Sequence, residues 1–289
     1  MLSLVHLKVL AAVARYGSVT EAAQQLHYSQ PSVSHHLARL EAATGVKLVQ
    51  RVGRGIRLTP EGLLLANRAA EIVGRVDAAT AELAAHAGLQ AGRVRVAANA
   101  STAATIVPRA AVTLAEQHPG LELSLFERHP VESLELLRHG EIEIAVVFRH
   151  PGEPRPDGFR FVHLGDDPIY LISKQADDSL VNHHDSRWIG GCDACQAELE
   201  TVCRSEDFAP RIASHSDDMV VVQALVAAGA GVAILAGLGL QAHRRQDVEA
   251  SELVGFHREI HAVTYGDPPD PPGVAAVLTA LQGSFSASG

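Results

Sequence analysis

The sequence predicts an α/β chain carrying a helical, winged head. Three patterns carry that expectation. Residues 18–41 read as two short helices around a tight turn. A basic hairpin and one long helix with a heptad seam follow. Beyond residue 92, apolar strands alternate with helices, the pattern of α/β lobes.

The first helix is expected over residues 2–16, where Leu4, Leu7, Leu10, Ala11 and Ala14 recur at helical spacing. Ser18, with Glu21 three residues on, forms a capping box for the second. Ala22, Ala23 and Leu26 give that helix its buried face, and His27-Tyr28-Ser29 makes the turn. Ser29 caps the third helix, and Pro31 fits its first turn, where no amide bond is lost. Val33, Leu37 and Leu40 must face inward, which turns Gln30, Ser34, His35 and Ala38 outward. A small polar face on a helix opening with Ser-Gln-Pro-Ser suits a DNA major groove.

Gly45 stops that helix. Residues 46–51 and 56–58 then form a β-hairpin wing about Val52-Gly53-Arg54-Gly55. Arg54 sits at its tip between Arg51 and Arg57, and an always-charged planar guanidinium suits phosphates and narrow minor grooves. Thr59 and Pro60 open a helix running to about residue 86. Its seam, Leu65, Ala69, Ile72, Val76, Ala79 and Leu83, has two readings, an amphipathic helix lying on its own domain or a match for the same helix of a second copy; the second is favoured, so a homo-oligomer is expected.

Residues 88–92 form a linker. Strands are expected at 93–97, 121–127 and 142–148, with helices near 104–118 and 130–139, in a mainly parallel sheet. After a Pro/Gly-rich stretch, 151–158, a second unit has strands near 168–173, 188–190, 212–214 and 231–235. Its helices lie near 195–205 and 218–228. Residues 266–273 read as a rigid crossover, and a last helix, 274–281, returns to the first unit. The expected domains are 1–60 for the winged helix-turn-helix, 61–88 for the linker helix and 89–289 for the lobes. Lobe I takes about 91–164 and 267–289, and lobe II about 165–266. A cleft between two such lobes is a usual small-ligand site.

Charge separates head from body. The first 60 residues hold seven cationic and two anionic side chains, +5, leaving −14 on the remainder of a chain whose net charge is −9. A basic head on an acidic body fits one DNA-binding domain joined to a domain that need not touch DNA. No apolar run of membrane-spanning length and no leader-like segment appear, so no membrane partner and a cytoplasmic location are expected. Three cysteines, Cys192, Cys195 and Cys203, fit a reducing compartment rather than a disulfide framework.

The head and the layout resemble the LysR-type transcriptional regulators. The carrying residues are Gly17-Ser18-Val19-Thr20-Glu21-Ala22-Ala23, Leu26, Ser29-Gln30-Pro31-Ser32-Val33-Ser34 and Leu40-Glu41. Gly45-Val46-Lys47-Leu48, Arg51 and Leu58-Thr59-Pro60-Glu61-Gly62 continue the match. Downstream, Val107-Pro108, His118-Pro119, the run 137–145 and the run 225–235 are collinear with it. The resemblance implies a winged helix-turn-helix, a dimerising linker helix and a two-lobed effector domain like a periplasmic binding protein of type II. It also implies double-stranded promoter DNA and RNA polymerase as partners, a dimer or tetramer, and a small-molecule effector that alters the DNA contact.

Carried over by position, the resemblance assigns DNA contacts to Ser18, Thr20, Ser29, Gln30, Pro31, Ser32, Ser34, His35, Arg39, Arg51, Arg54 and Arg57. Gln30 is suited to an adenine edge and Pro31 to a thymine methyl, while Ser18, Thr20, Ser29, Arg51 and Thr59 can donate to phosphates. Position 35, often a long basic or amide residue in the family, is His35 here, which reaches less far. The loop Asn99-Ala100-Ser101-Thr102 would hold a carboxylate or similar anion through its hydroxyls and helix amides. Phe148, Arg149, Cys192, His215 and Ser216 complete the expected effector site, with Arg149 either pairing an acidic effector or lying solvated.

Cys192-Asp193-Ala194-Cys195, with Cys203 nearby, has two readings: a redox or metal sensor aided by His183 and His184, or buried structural cysteines. The sixteen histidines scatter along the chain and most should be solvated. The glycines of 229–231 and 237–239 read as packing glycines rather than nucleotide loops. No Gly-x-Ser-x-Gly, no Gly-Lys-Ser/Thr loop and no His-Glu-x-x-His occur, so no enzyme, cofactor or metal is expected.

Overall fold

The computed structural model describes residues 2–52, 55–86, 92–266 and 268–286. It divides into two compact units, one of residues 1–91 with 134–143 and one of 92–133 with 144–289.

The smaller unit opens with α1 (Leu4–Tyr16), α2 (Val19–Gln25) and α3 (Gln30–Thr44). The caps fall where the sequence puts them. The Ser18 hydroxyl accepts from the Glu21 amide, and the Ser29 hydroxyl from the Ser32 amide. Gly45 ends α3 at φ 74°, a left-handed cap that favours glycine. Val33, Leu37 and Leu40 are buried with Leu7, Leu10, Val13 and Ala22, as the i+4 spacing requires. Strands β1 (Val49–Val52) and β2 (Gly55–Leu58) pair antiparallel, and α4 (Pro60–His86) follows. The Thr59 hydroxyl accepts from the Gly62 amide and donates to the Lys47 carbonyl.

One carboxylate fastens the wing to α3. Glu41 accepts from Lys47 Nζ at 2.8 Å and from the amides of Leu48 and Val49 at 2.9 and 3.3 Å. Burial alone would raise its pKa, but these donors outweigh it and hold the carboxyl below its ordinary value. A depressed carboxylate pKa stabilises the fold above the unfolded value and loses that contribution as pH falls through the folded one. Glu41→Gln should therefore cost about 1–3 kcal/mol at neutral pH. The cost should shrink in acid, as chemical denaturation across pH would read out.

In the larger unit, β3 (Arg93–Ala98), β4 (Glu122–Glu127) and β5 (Ile144–Arg149) are parallel and lie in the order β4-β3-β5. Helices α5 (Ala100–Ala104) and α6 (Ile106–Gln117) follow β3, and α7 (Pro130–Arg138) follows β4. Two long strands, β6 (Phe159–Ser173) and β10 (Glu249–Tyr265), then pair antiparallel along most of their length. Between them in the chain come β7 (Arg187–Gly190), α8 (Asp193–Arg204), β8 (Arg211–His215), α9 (Met219–Ala227), β9 (Ala233–Ala236) and α10 (Gly237–Ala242). The full order is β4-β3-β5-β10-β6-β9, with β7 and β8 in a small parallel sheet joined to Val232 by a bridge at Trp188. The last helix, α11 (Pro272–Ser286), packs on α6.

Two expectations change here. The main sheet is mixed rather than mainly parallel, because β10 meets both β5 and β6 antiparallel. The links between the lobes are β6 and β10 themselves; of the expected crossover, 266–273, residue 267 lies outside the described residues and Pro272 and Gly273 open α11. Lobe I closes over Val96, Ile144, Ile260 and Leu281, and lobe II over Trp188, Leu171, Leu199 and Val202. Gly231 is a packing glycine: a Cβ there would stand 2.4 Å from the Arg187 carbonyl oxygen.

Candidate nucleic-acid interface and ligand cavity

The face of α3 that the core leaves free is the predicted one. Gln30, Pro31, Ser34, His35 and Arg39 are exposed, as are Thr20, Ser29, Arg51 and Arg57, while Ser18 and Ser32 are half-buried. Arg54 lies outside the described residues. Thr59 is a correction: its hydroxyl hydrogen goes to the Lys47 carbonyl and is not available to a phosphate. Sequence reasoning missed an aromatic stack behind this face, in which His36 packs 5.3 Å from His6 and 5.6 Å from Tyr28. Burial, with His36, Arg39 and His35 beside it, pushes the His6 pKa down.

The α4 seam divides. Ala69 is fully buried in the head's own core and Leu65 is half-buried, so Ala69 is not open to a partner helix. The cause is that α4 packs on α1. Ile72, Val76, Ala79 and Leu83 are exposed, Leu83 by 71%.

In the larger unit the carboxyl ends of the strands enclose a cavity of about 120 Å³. Phe148, Ile189, Leu199, Met219, Val222 and Ile234 give it apolar walls. Asn99, Ser101 and Ser216 contribute amide and hydroxyl groups. Acidic and basic side chains line it as well: Glu198 from α8, Asp217 before α9 and Arg258 from β10.

Arg258 is the group that the sequence hid. Its Nε and Nη2 donate to Asp167 at 2.9 and 2.8 Å, and Nη2 also donates to the Ser101 hydroxyl at 2.7 Å. The guanidinium lies 4.5 Å from the Phe148 ring centroid. Asp167 and Arg258 are 1% and 7% exposed, and the second Asp167 oxygen accepts from the Leu238 amide. Such a pair persists in a poorly solvating interior because both carboxylate oxygens are met. Glu198 faces His150 Nδ1 at 3.4 Å. Burial pushes its carboxyl pKa up, with His150 and Arg258 offsetting part of the rise.

The structure brings Asn99, Ser101, Phe148, Cys192 and Ser216 together at the cavity and leaves out three expected members. Thr102 is buried beneath it, donating to both oxygens of Asn99. Arg149 turns away to the Glu153 carbonyl and carboxylate and packs over Phe161. His215, ending β8, does not line the cavity either. In the predicted anion loop, Ser101 Oγ accepts from Asn99 and Arg258, and α5 is five residues long.

In the cysteine cluster, neither Cys195 nor Cys203 presents the lowered pKa that a sensing thiol needs. Cys192 and Cys195 lie 3.3 Å apart as free thiols. Burial, then Cys192 beside it, pushes Cys195 up to about 12, and burial pushes Cys203 up to about 12. A thiol held protonated is a poor nucleophile and metal ligand. His183 is committed elsewhere, to Asp178 at 2.7 Å and Ser186 at 2.9 Å. Burial works against the Asp178 charge, but bonds from Ser173, Asn182 and His183 bring its pKa down to about 2. Among the described residues no group of three or more His, Cys, Asp and Glu side chains could hold a metal ion. Among them, too, no helix is long and apolar enough to cross a membrane.

Residues 4–63 match the family model of the bacterial regulatory helix-turn-helix protein, lysR family, and residues 87–286 match the LysR substrate binding domain. The chain belongs to the LysR family. A RuBisCO operon transcriptional regulator of Acidithiobacillus ferrooxidans is 36% identical over 115 residues, 40% of this chain and 37% of that protein. The HTH-type transcriptional activator CmpR of Synechocystis is 36% identical over 39% of this chain and 37% of that one. The matched stretch thus spans little more than a third of these LysR relatives. Solved folds extend further. CbnR, a LysR family transcriptional regulator, has a TM-score of 0.67 at 22% identity over 98% of this chain and 99% of that chain. A full-length OxyR variant from Pseudomonas aeruginosa has 0.73 at 18% identity, covering 98% and 95%.

Proposed function

We propose that this LysR-family chain is a sequence-specific transcriptional regulator, not an enzyme. It binds double-stranded promoter DNA as a homo-oligomer, and a small effector held in the lobe cavity alters that contact. The observation that carries the reading is the exposed face of α3, where Gln30, Pro31, Ser34 and His35 project free of the core beside Arg39, Arg51 and Arg57. Gln30 reads an adenine edge and Pro31 meets a thymine methyl. Thr20, Ser18, Ser29, Ser32 and the arginines, Arg54 included, hold phosphates and the minor groove. The work divides among residues 1–60 on DNA, 61–88 on self-association through Ile72, Val76, Ala79 and Leu83, and 89–289 on the effector. A cytoplasmic location and a contact with RNA polymerase complete the proposal.

Gel-shift on the DNA upstream of its own gene tests it. Binding should weaken steeply with salt. Gln30→Ala should lower affinity for the cognate site by about 1–3 kcal/mol and leave random-sequence binding nearly unchanged. Equal losses on both DNAs would remove the base-reading role.

A further inference from the structure

The charges around the cavity define the effector's class. We propose that the cavity selects a small organic cation, an amine whose ammonium group meets Glu198 and Asp217 while a short apolar stem lies along Ile189, Leu199 and Val222. The inference rests on reading this cavity as the effector site.

Arg258, the arginine of the lining, is already neutralised. Its guanidinium is divided between Asp167 and Ser101, both buried, and is covered on one face by Phe148. An incoming carboxylate would find that charge already offset by Asp167, and drawing the guanidinium away would leave Asp167 uncompensated, which is costly inside a protein. The remaining carboxyls carry no such obligation. Glu198 is 13% exposed and has His150 at 3.4 Å, and Asp217 is 49% exposed with His129 at 4.0 Å. Both partners are histidines rather than lysines or arginines. The burial that raises the Glu198 pKa also marks a carboxyl short of compensating charge. An ammonium group supplies it.

The test is titration calorimetry of the full-length protein with three probes that share one stem: butylammonium, 1-butanol and butyrate. Butylammonium should bind at least about tenfold more tightly than butanol, a margin of about 1.4 kcal/mol, and butyrate more weakly than butanol. Glu198→Gln and Asp217→Asn should each erode the preference for the cation, and the double variant should abolish it. Butyrate binding as tightly as butylammonium, no binding by any probe, or a cation preference that survives the double variant would overturn the inference. The parent reading is judged separately, by gel-shift. Butyrate or butanol that binds and alters promoter affinity, where butylammonium does not, defeats the cation class alone. Promoter affinity unmoved by any bound probe defeats the effector role of the cavity and the inference with it.

Discussion

Replacing Arg258 with leucine lowers the stability of the larger unit by about 3–5 kcal/mol, the usual cost of leaving one member of a buried ion pair uncompensated. Asp167 would keep its bond from the Leu238 amide but lose both guanidinium donors, and Ser101 would lose one donor. Water cannot replace them easily where Asp167 is 1% exposed. The whole loss therefore falls on a carboxylate left with the Leu238 amide as its donor. Urea denaturation followed by Trp188 fluorescence reads it directly, since Trp188 sits in the lobe II core. The double variant Arg258→Leu/Asp167→Leu should recover part of the loss. Recovery stays incomplete because the Leu238 amide then has no acceptor. A single variant as stable as the native chain would mean that solvent reaches Asp167.

Gly62→Val should damage the head more than its place in the first turn of a helix suggests. A Cβ at residue 62 would stand 2.0 Å from the Leu48 carbonyl oxygen and 2.9 Å from its carbon. Those atoms are backbone, and the Leu48 carbonyl also accepts the Thr59 amide, so neither side can yield cheaply. We expect a loss of about 1–3 kcal/mol or more, the range typical of overpacking, with the wing pushed off α4. Promoter affinity should fall with it. Gly55→Ala is the control, because among the described residues its Cβ would meet the Val52 carbonyl oxygen at an ordinary 3.8 Å. Melting curves and gel-shift on both variants check the pair. Equal behaviour would show that the contact at Gly62 does not restrain the wing.

The head was legible because its signals are local. Ser18, Ser29 and Gly45 act on amides and carbonyls within one turn, and the i+4 apolar stripe of α3 dictates which face remains outside. The exposed Gln30, Ser34 and His35 follow from that geometry before any tertiary contact is known. The long strands were legible only in part. In β10, Glu252, His257, Arg258, Glu259 and His261 break the apolar pattern that signals a strand. β6 pairs with β10 opposite each of them and β5 opposite Glu259 and His261, while Arg258 finds its partner in Asp167.

By itself, the sequence determined the winged helix-turn-helix head, the alternation of strands and helices beyond it, and the outward face of α3. Each rests on interactions between residues a few positions apart. Only the tertiary structure decided that Ala69 is spent on the head's own core, that β6 and β10 link the lobes, and that Arg149 turns away while Arg258 enters the cavity. Asp167 and Arg258 are 91 residues apart in the chain. Nothing local marks one arginine over another, because the energy of a buried charge depends on the partner that folding brings to it.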